Sequence, residues 1–188
     1  MFSVASTNGG FPMSRPEDER ETVEVSRLLA GAAKALAALR NCWLVTAAES
    51  RGANARPMER LKRDPDESEW KIRFLTDGRS RKASELRRDG KVAVIFQHDP
   101  ADAFVAVIGT ARLREEASEV RRRWRRAYDV YFPSERDRAS AAFVEVEAER
   151  LELWIRGVTP EPFGLHPTIL ERDAGGGWRL VPRNRSAA

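Results

Sequence analysis

The 188-residue chain has one cysteine, two histidines and no long apolar run, and each scarcity removes a class of function. Cys42 alone cannot build a disulfide framework or a thiolate metal cluster. With only His98 and His166 beside it, a conventional zinc site is not expected. No stretch approaches the roughly 20 apolar residues that cross a bilayer as a helix. The opening Met1 to Arg20 is polar and lacks the apolar core of a secretory signal. It reads as a disordered lead-in, with a cytoplasmic location as the default. Cys42 lies at the edge of an apolar run before Trp43, the setting of a buried structural thiol rather than a nucleophile. No triad and no carboxylate pair can be recognised.

Charge is plentiful. Lys and Arg number 33 against 29 Asp and Glu, for a formal net charge of +4. The densest basic run, Arg121-Arg122-Arg123-Trp124-Arg125-Arg126, follows Glu115, Glu116 and Glu119. Acids before bases on one helix suit both the macrodipole and i,i+4 pairing, so a solvated helix is expected there. No zinc-finger, RNA-recognition or helix-turn-helix pattern accompanies the run, which argues against a nucleic-acid partner.

The segment Phe74 to Leu86 carries the most chemistry. A strand end runs through Asp77-Gly78 into a helix that starts at Ser80-Arg81-Lys82. A helix N-terminus presents unpaired amides and the positive end of the macrodipole, and here a hydroxyl and two cations are added. Those features make a phosphate socket. The competing reading is a Ser80-capped surface helix with solvated charges.

Along the chain, Val23, Val25, Leu28, Leu29, Ala32, Ala33 and Leu36 recur at helical spacing within 17–39. Strands are expected at 42–47 and 55–58, joined by the polar turn 49–54, and at 70–76. A helix to about Arg88 stops at Asp89-Gly90, and strands follow at 91–97 and 104–114. Ser134 caps a short helix to about Ala142. A long strand, 143–155, changes register near 148–150, and final strands lie at 168–172 and 178–181. Roughly six or seven strands in hairpin order suggest a closed antiparallel barrel with peripheral helices in one domain, 21–182, before a tail at 183–188.

Ala55-Arg56-Pro57-Met58, Phe74-Leu75-Thr76, Ser80-Arg81-Lys82, Ile108-Gly109-Thr110-Ala111 and Leu151-Glu152-Leu153-Trp154, in this order and spacing, resemble the pyridoxamine 5'-phosphate oxidase-like family. The general stress protein branch is most similar. The resemblance implies a mainly β fold, a split antiparallel barrel of about six strands. It also implies a homodimer with FMN at the subunit interface. It implies cofactor contacts from Arg56, Pro57, Met58, Phe74, Leu75 and Thr76, phosphate contacts from Ser80, Arg81 and Lys82, and Trp154 reaching the flavin from the other subunit. Gln97 is carried over only by its place at a strand end. A guanidinium can grip a phosphate in a bidentate way that Lys82 complements as a point charge. Met58, Phe74 and Trp154 suit a flat ring, though packing in the core competes for each.

True pyridoxamine 5'-phosphate oxidases carry an Arg-x-His segment shortly after the Trp154 strand to hold the substrate phosphate. This chain has Gly164-Leu165-His166 there. Loss of that guanidinium forfeits a contact worth roughly 1.5 to 3 kcal/mol, which argues against synthesis of pyridoxal phosphate. His166 reads as a loop residue. The expected function is FMN-dependent electron transfer between a small-molecule donor and acceptor. The alternatives are a flavin-binding stress or sensing protein without turnover and a deazaflavin-dependent reductase. Two histidines without an axial-ligand setting argue against haem.

Overall fold

Eight strands and four helices make up the described residues, 16–64 and 67–182, of the computed structural model. In chain order they are α1 (Pro16–Ala37), β1 (Asn41–Ala47), β2 (Ala53–Glu59), β3 (Lys71–Asp77), α2 (Arg81–Arg88), β4 (Lys91–His98), β5 (Ala103–Arg114), α3 (Ala117–Arg123), α4 (Glu135–Ala139), β6 (Ala141–Ile155), β7 (Thr168–Arg172) and β8 (Trp178–Leu180). The mainly β, antiparallel architecture matches expectation. Most of the expected lead-in, and the expected tail, lie outside the described residues. Pro16–Arg20 form the first turns of α1. None of the described helices is long and apolar enough to cross a membrane.

The sheet runs β2-β1-β4-β5-β6-β7-β8, and β3 pairs with β6. The 15 residues of β6 organise it. Its first half, Ala141–Glu147, pairs with β3, its second half pairs with β7, and β5 follows its opposite edge. The sheet has eight strands rather than six or seven, and it does not close. Past β2, one backbone bond from the Leu61 amide to the Arg73 carbonyl, 2.8 Å, reaches β3. Pro57 has no amide to donate from the edge strand β2, and the charged connection after Glu59 leaves the sheet, so the barrel stays split.

The register change expected near 148–150 is present. Ile108 faces Arg150 but Gly109 faces Ala148, so Glu149 is bulged. The bulge brings β6 so close that a Cβ at Gly109 would stand 1.9 Å from the Glu147 carbonyl oxygen. Only glycine fits that crossing.

Val25, Leu28, Ala32, Ala35 and Leu36 of α1 are buried against the inner face of the sheet, while Val23 is exposed and lies off the stripe. The core they meet includes Leu44, Phe74, Val94, Phe96, Val107, Val144, Leu151 and Leu170. Each such side chain contributes about 1.5–3 kcal/mol when removed from water. A second, smaller cluster of Val120, Phe132, Ala141 and Phe143 lies under α3 and α4, with Leu75, Trp124 and Tyr128 packed on it.

The basic helix is shorter than expected. α3 ends at Arg123, and a 3-10 turn takes over at Arg126–Val130. Arg123 and Arg125 are tethered by ion pairs, whereas Arg121, Arg122 and Arg126 are exposed, as expected of a solvated face. Arg123 pairs with Glu145 of β6, which is buried, and with Glu119 at 2.7 Å, and Arg125 pairs with Asp64. α4 ends at Ala139, and Ser134 and Asp137 close a reciprocal capping box at its start.

Candidate functional site

The turn into α2 is locked by its own side chains. Asp77 accepts the Arg79 amide at 2.8 Å and the Arg79 guanidinium at 2.7 Å. These bonds hold the Asp77 carboxyl down at about 2. The Ser80 amide donates to the Asp77 carbonyl, and the Ser80 carbonyl accepts from Ala83 and Ser84. Ser80 therefore starts the helix through its backbone. Its hydroxyl makes no cap and lies 3.5 Å from the Thr76 hydroxyl. The capping role weighed for that side chain is absent. No acid occupies the first turn, and the amides of Arg81 and Lys82 meet no acceptor among the described residues.

Lys82 follows into a cleft of about 720 Å³. Pro57, Met58, Glu59 and Leu61 form one wall and Leu75, Thr76 and Asp77 another. The segment from Ala127 to Pro133 closes the side, and Arg40 and Asp137 stand at the rim. Lys82 is half-buried, and no carboxylate lies within ion-pair distance of it among the described residues. Burial, helped by the charge of Arg56, pushes its ammonium below the usual lysine range. The other two cations of the cleft are matched, Arg79 by Asp77 and Arg40 by Glu59 at 2.6 Å. Tyr131 also donates its hydroxyl to Glu59, at 2.9 Å.

Beneath the socket lies a buried acid that reading the sequence missed. Glu85 is 3% exposed and accepts from Thr46 at 2.6 Å, Asn54 at 2.6 Å and Arg56 at 2.7 Å. Burial opposes its charge, but those hydrogen bonds and the Arg56 guanidinium outweigh it and hold the carboxyl below its ordinary range. The signal was available. Thr46, Asn54 and Arg56 fall on the inward face of the β1–β2 hairpin, and polar side chains there require a buried partner.

The expected site residues separate into four groups. Pro57, Met58, Leu75, Thr76 and Lys82 meet in the cleft, with Ser80 beside Thr76. Arg56 is committed to Glu85 and Thr46, and Arg81 is largely exposed, turned toward Glu85 and the β1–β2 hairpin. Phe74 is fully buried in the core, where packing claims it.

Gln97 and Trp154 lie elsewhere. Gln97 of β4 faces Phe104 of β5, which faces Trp154 of β6, in one row on the outer face of the sheet. Trp43, 48% exposed, and Ile95, 38% exposed, share that face, and Pro57 opposite Trp43 joins it to the cleft. His166 is exposed in the loop after β6 and does not line the cleft. Cys42 is buried, and burial pushes its thiol up to about 12, as an inert structural cysteine requires.

The described residues hold no group of His, Cys, Asp and Glu suited to a metal ion. What they offer is the apolar surface of Met58, Leu61 and Leu75 beside a half-buried cation at a helix start with no carboxylate in ion-pair distance among them. That arrangement fits a planar molecule carrying a phosphate.

Comparisons with known proteins give the family and the fold. The family model described as pyridoxamine 5'-phosphate oxidase like matches residues 30–160. Among solved structures, a protein related to general stress protein 26 from Clostridium acetobutylicum is 18% identical with a TM-score of 0.61, covering 78% of this chain and 94% of its own. PhzG from Burkholderia lata 383, solved with tetrahydrophenazine-1-carboxylic acid, is 18% identical with a TM-score of 0.60, covering 92% and 98%. A pyridoxamine 5'-phosphate oxidase-related, FMN binding protein from Nostoc punctiforme PCC 73102 is 14% identical with a TM-score of 0.57, covering 91% and 100%. At these identities the structures establish a shared fold. No curated protein matches the sequence.

Proposed function

From the premise that this chain belongs to the pyridoxamine 5'-phosphate oxidase-like family, we propose that it is an FMN-dependent oxidoreductase whose cofactor phosphate rests on Lys82 at the start of α2. Lys82 carries the proposal. A half-buried ammonium without a carboxylate partner is costly to keep, and a phosphate supplies its missing counter-charge. The free amides of Arg81 and Lys82, and the Ser80 hydroxyl that meets only the Thr76 hydroxyl at 3.5 Å, supply donors at the same place. A charge-assisted contact of this kind is worth roughly 1.5–3 kcal/mol, or more than tenfold in affinity.

The ring lies against Met58, Leu75 and Thr76 in this reading. Arg56 helps through Glu85, which fixes the hairpin against α2. When bound, the flavin supplies the hydride chemistry. The chain need only bind it, orient it and exclude water, which accounts for the missing triad and carboxylate pair.

Gln97 and Trp154 join the site through a second copy of the chain. Their outer face, with Trp43, Ile95 and Phe104, is apolar and uncovered. A large exposed apolar face on a soluble domain marks an interaction surface. A homodimer across it would bring Trp154 of the partner subunit toward the cofactor. The Gly164-Leu165-His166 segment offers no guanidinium for a substrate phosphate, so the protein is not a pyridoxal phosphate synthase in this reading.

The test is the visible spectrum of purified protein after incubation with FMN and gel filtration, with light scattering on the same column. A retained flavin spectrum in a dimeric peak supports the reading. A colourless monomer refutes it.

A further inference from the structure

The cleft is larger than its phosphate end, and its charges are unevenly assigned. Three cations, Arg40, Arg79 and Lys82, and three carboxylates, Glu59, Asp77 and Asp137, line it. Arg40 is matched by Glu59 and Arg79 by Asp77. All three carboxyls are held below their ordinary range. Once a flavin phosphate takes Lys82, carboxylates outnumber the remaining cations. A second anion would enter against net negative charge with no unmatched cation left among the described lining residues to receive it.

The wall away from Lys82 is apolar. Leu61, Tyr128, Phe132 and Pro133 line it, and Val130 and Tyr131 stand exposed at its edge, 75% and 60% respectively. Tyr131 is held upright by its bond to Glu59, so the ion pair that neutralises Arg40 also fixes the wall.

We infer that the part of the cleft between Leu61 and Tyr131 takes an uncharged, flat apolar molecule as the second ligand, and rejects phosphorylated ones. The inference rests on the FMN reading above and adds the substrate class to it. Glu59 is the specificity-determining residue, because it cancels Arg40, the one arginine at that end of the cleft among the described lining residues. Val130 and Tyr131 are the apolar contacts.

The experiment is calorimetric titration of FMN-loaded protein with two probes, 2-methyl-1,4-naphthoquinone and pyridoxine 5'-phosphate, the latter having no aldehyde to react with lysines. The naphthoquinone should bind at least about tenfold more tightly. Val130→Asp, at an exposed position where folding is not at stake, should weaken the naphthoquinone by about tenfold, and Glu59→Gln, which unmasks Arg40, should strengthen the phosphate by a similar factor. Tighter binding of pyridoxine 5'-phosphate to the unaltered protein, or indifference of the naphthoquinone to Val130→Asp, overturns the inference while the FMN reading stands. A protein that retains no FMN overturns both.

Discussion

Two basic segments, Ser80-Arg81-Lys82 and Arg121 to Arg126, stand out equally in the sequence, and the fold treats them in opposite ways. In the second, Glu145 and Glu119 take up the half-buried Arg123 and Asp64 pairs with Arg125, which ties this segment to β6 and to the loop before β3, while Arg121, Arg122 and Arg126 stay exposed. In the first, Arg81 leans on Glu85 at 3.4 Å, but Lys82 goes into the cleft with no carboxylate within ion-pair distance among the described residues. The number of positive charges therefore says little. What separates the two segments is whether a half-buried cation has been left without an ion-pair partner.

That contrast can be broken in steps. The largest effect is expected at Glu85, whose removal leaves Arg56 buried without its counter-charge. Glu85→Ala should lose about 3–5 kcal/mol of stability in urea unfolding, and FMN binding should weaken with it as the hairpin loosens from α2. Arg123→Ala comes next. It strands Glu145, a buried carboxylate that still keeps Arg114 at 2.8 Å, so the loss should be about 1–3 kcal/mol with FMN retained. If Arg123→Ala released FMN at unchanged stability, the division between tether and socket would fail.

Acid should reveal the same two carboxylates. Glu85 and Glu145 both titrate below the ordinary value of 4.5, where their unfolded forms sit. Their contribution is complete above that value and is lost as pH falls through the lowered folded values. Stability measured by urea midpoint should thus drop steeply below about pH 4.5 in the native protein, and less steeply in Glu85→Gln or Glu145→Gln. The smallest effect belongs to Arg122, which is exposed and meets Glu119 at 3.5 Å. Arg122→Ala should change the thermal midpoint and FMN affinity within error, a shift of under about 0.5 kcal/mol.

Much of this was legible before the fold was seen, for reasons that particular residues make plain. Periodicity found α1 and nearly every strand, and the odd spacing after Ala148 marked the bulge that Gly109 accommodates. The helix start after Ser80 was legible because helix starts have a fixed chemistry. Three things were not. The extent of α3 was overestimated because a run of arginines is helix-compatible, whereas the chain ends the helix at Arg123. Closure of the barrel depends on whether β2 reaches β3, a long-range pairing that local pattern does not encode. The division of the site, with Phe74 in the core and Gln97 and Trp154 on the outer face, follows from strand direction and register, which become visible only when strands are paired.

The central claim is that Lys82 receives the phosphate of FMN, and the most direct test compares FMN with riboflavin, which lacks the phosphate, by flavin fluorescence titration of native protein and Lys82→Ala. The native protein should prefer FMN by more than about tenfold, and Lys82→Ala should abolish the preference by weakening FMN alone. Equal affinity for the two flavins in the native protein, or an undiminished preference in Lys82→Ala, would contradict that claim.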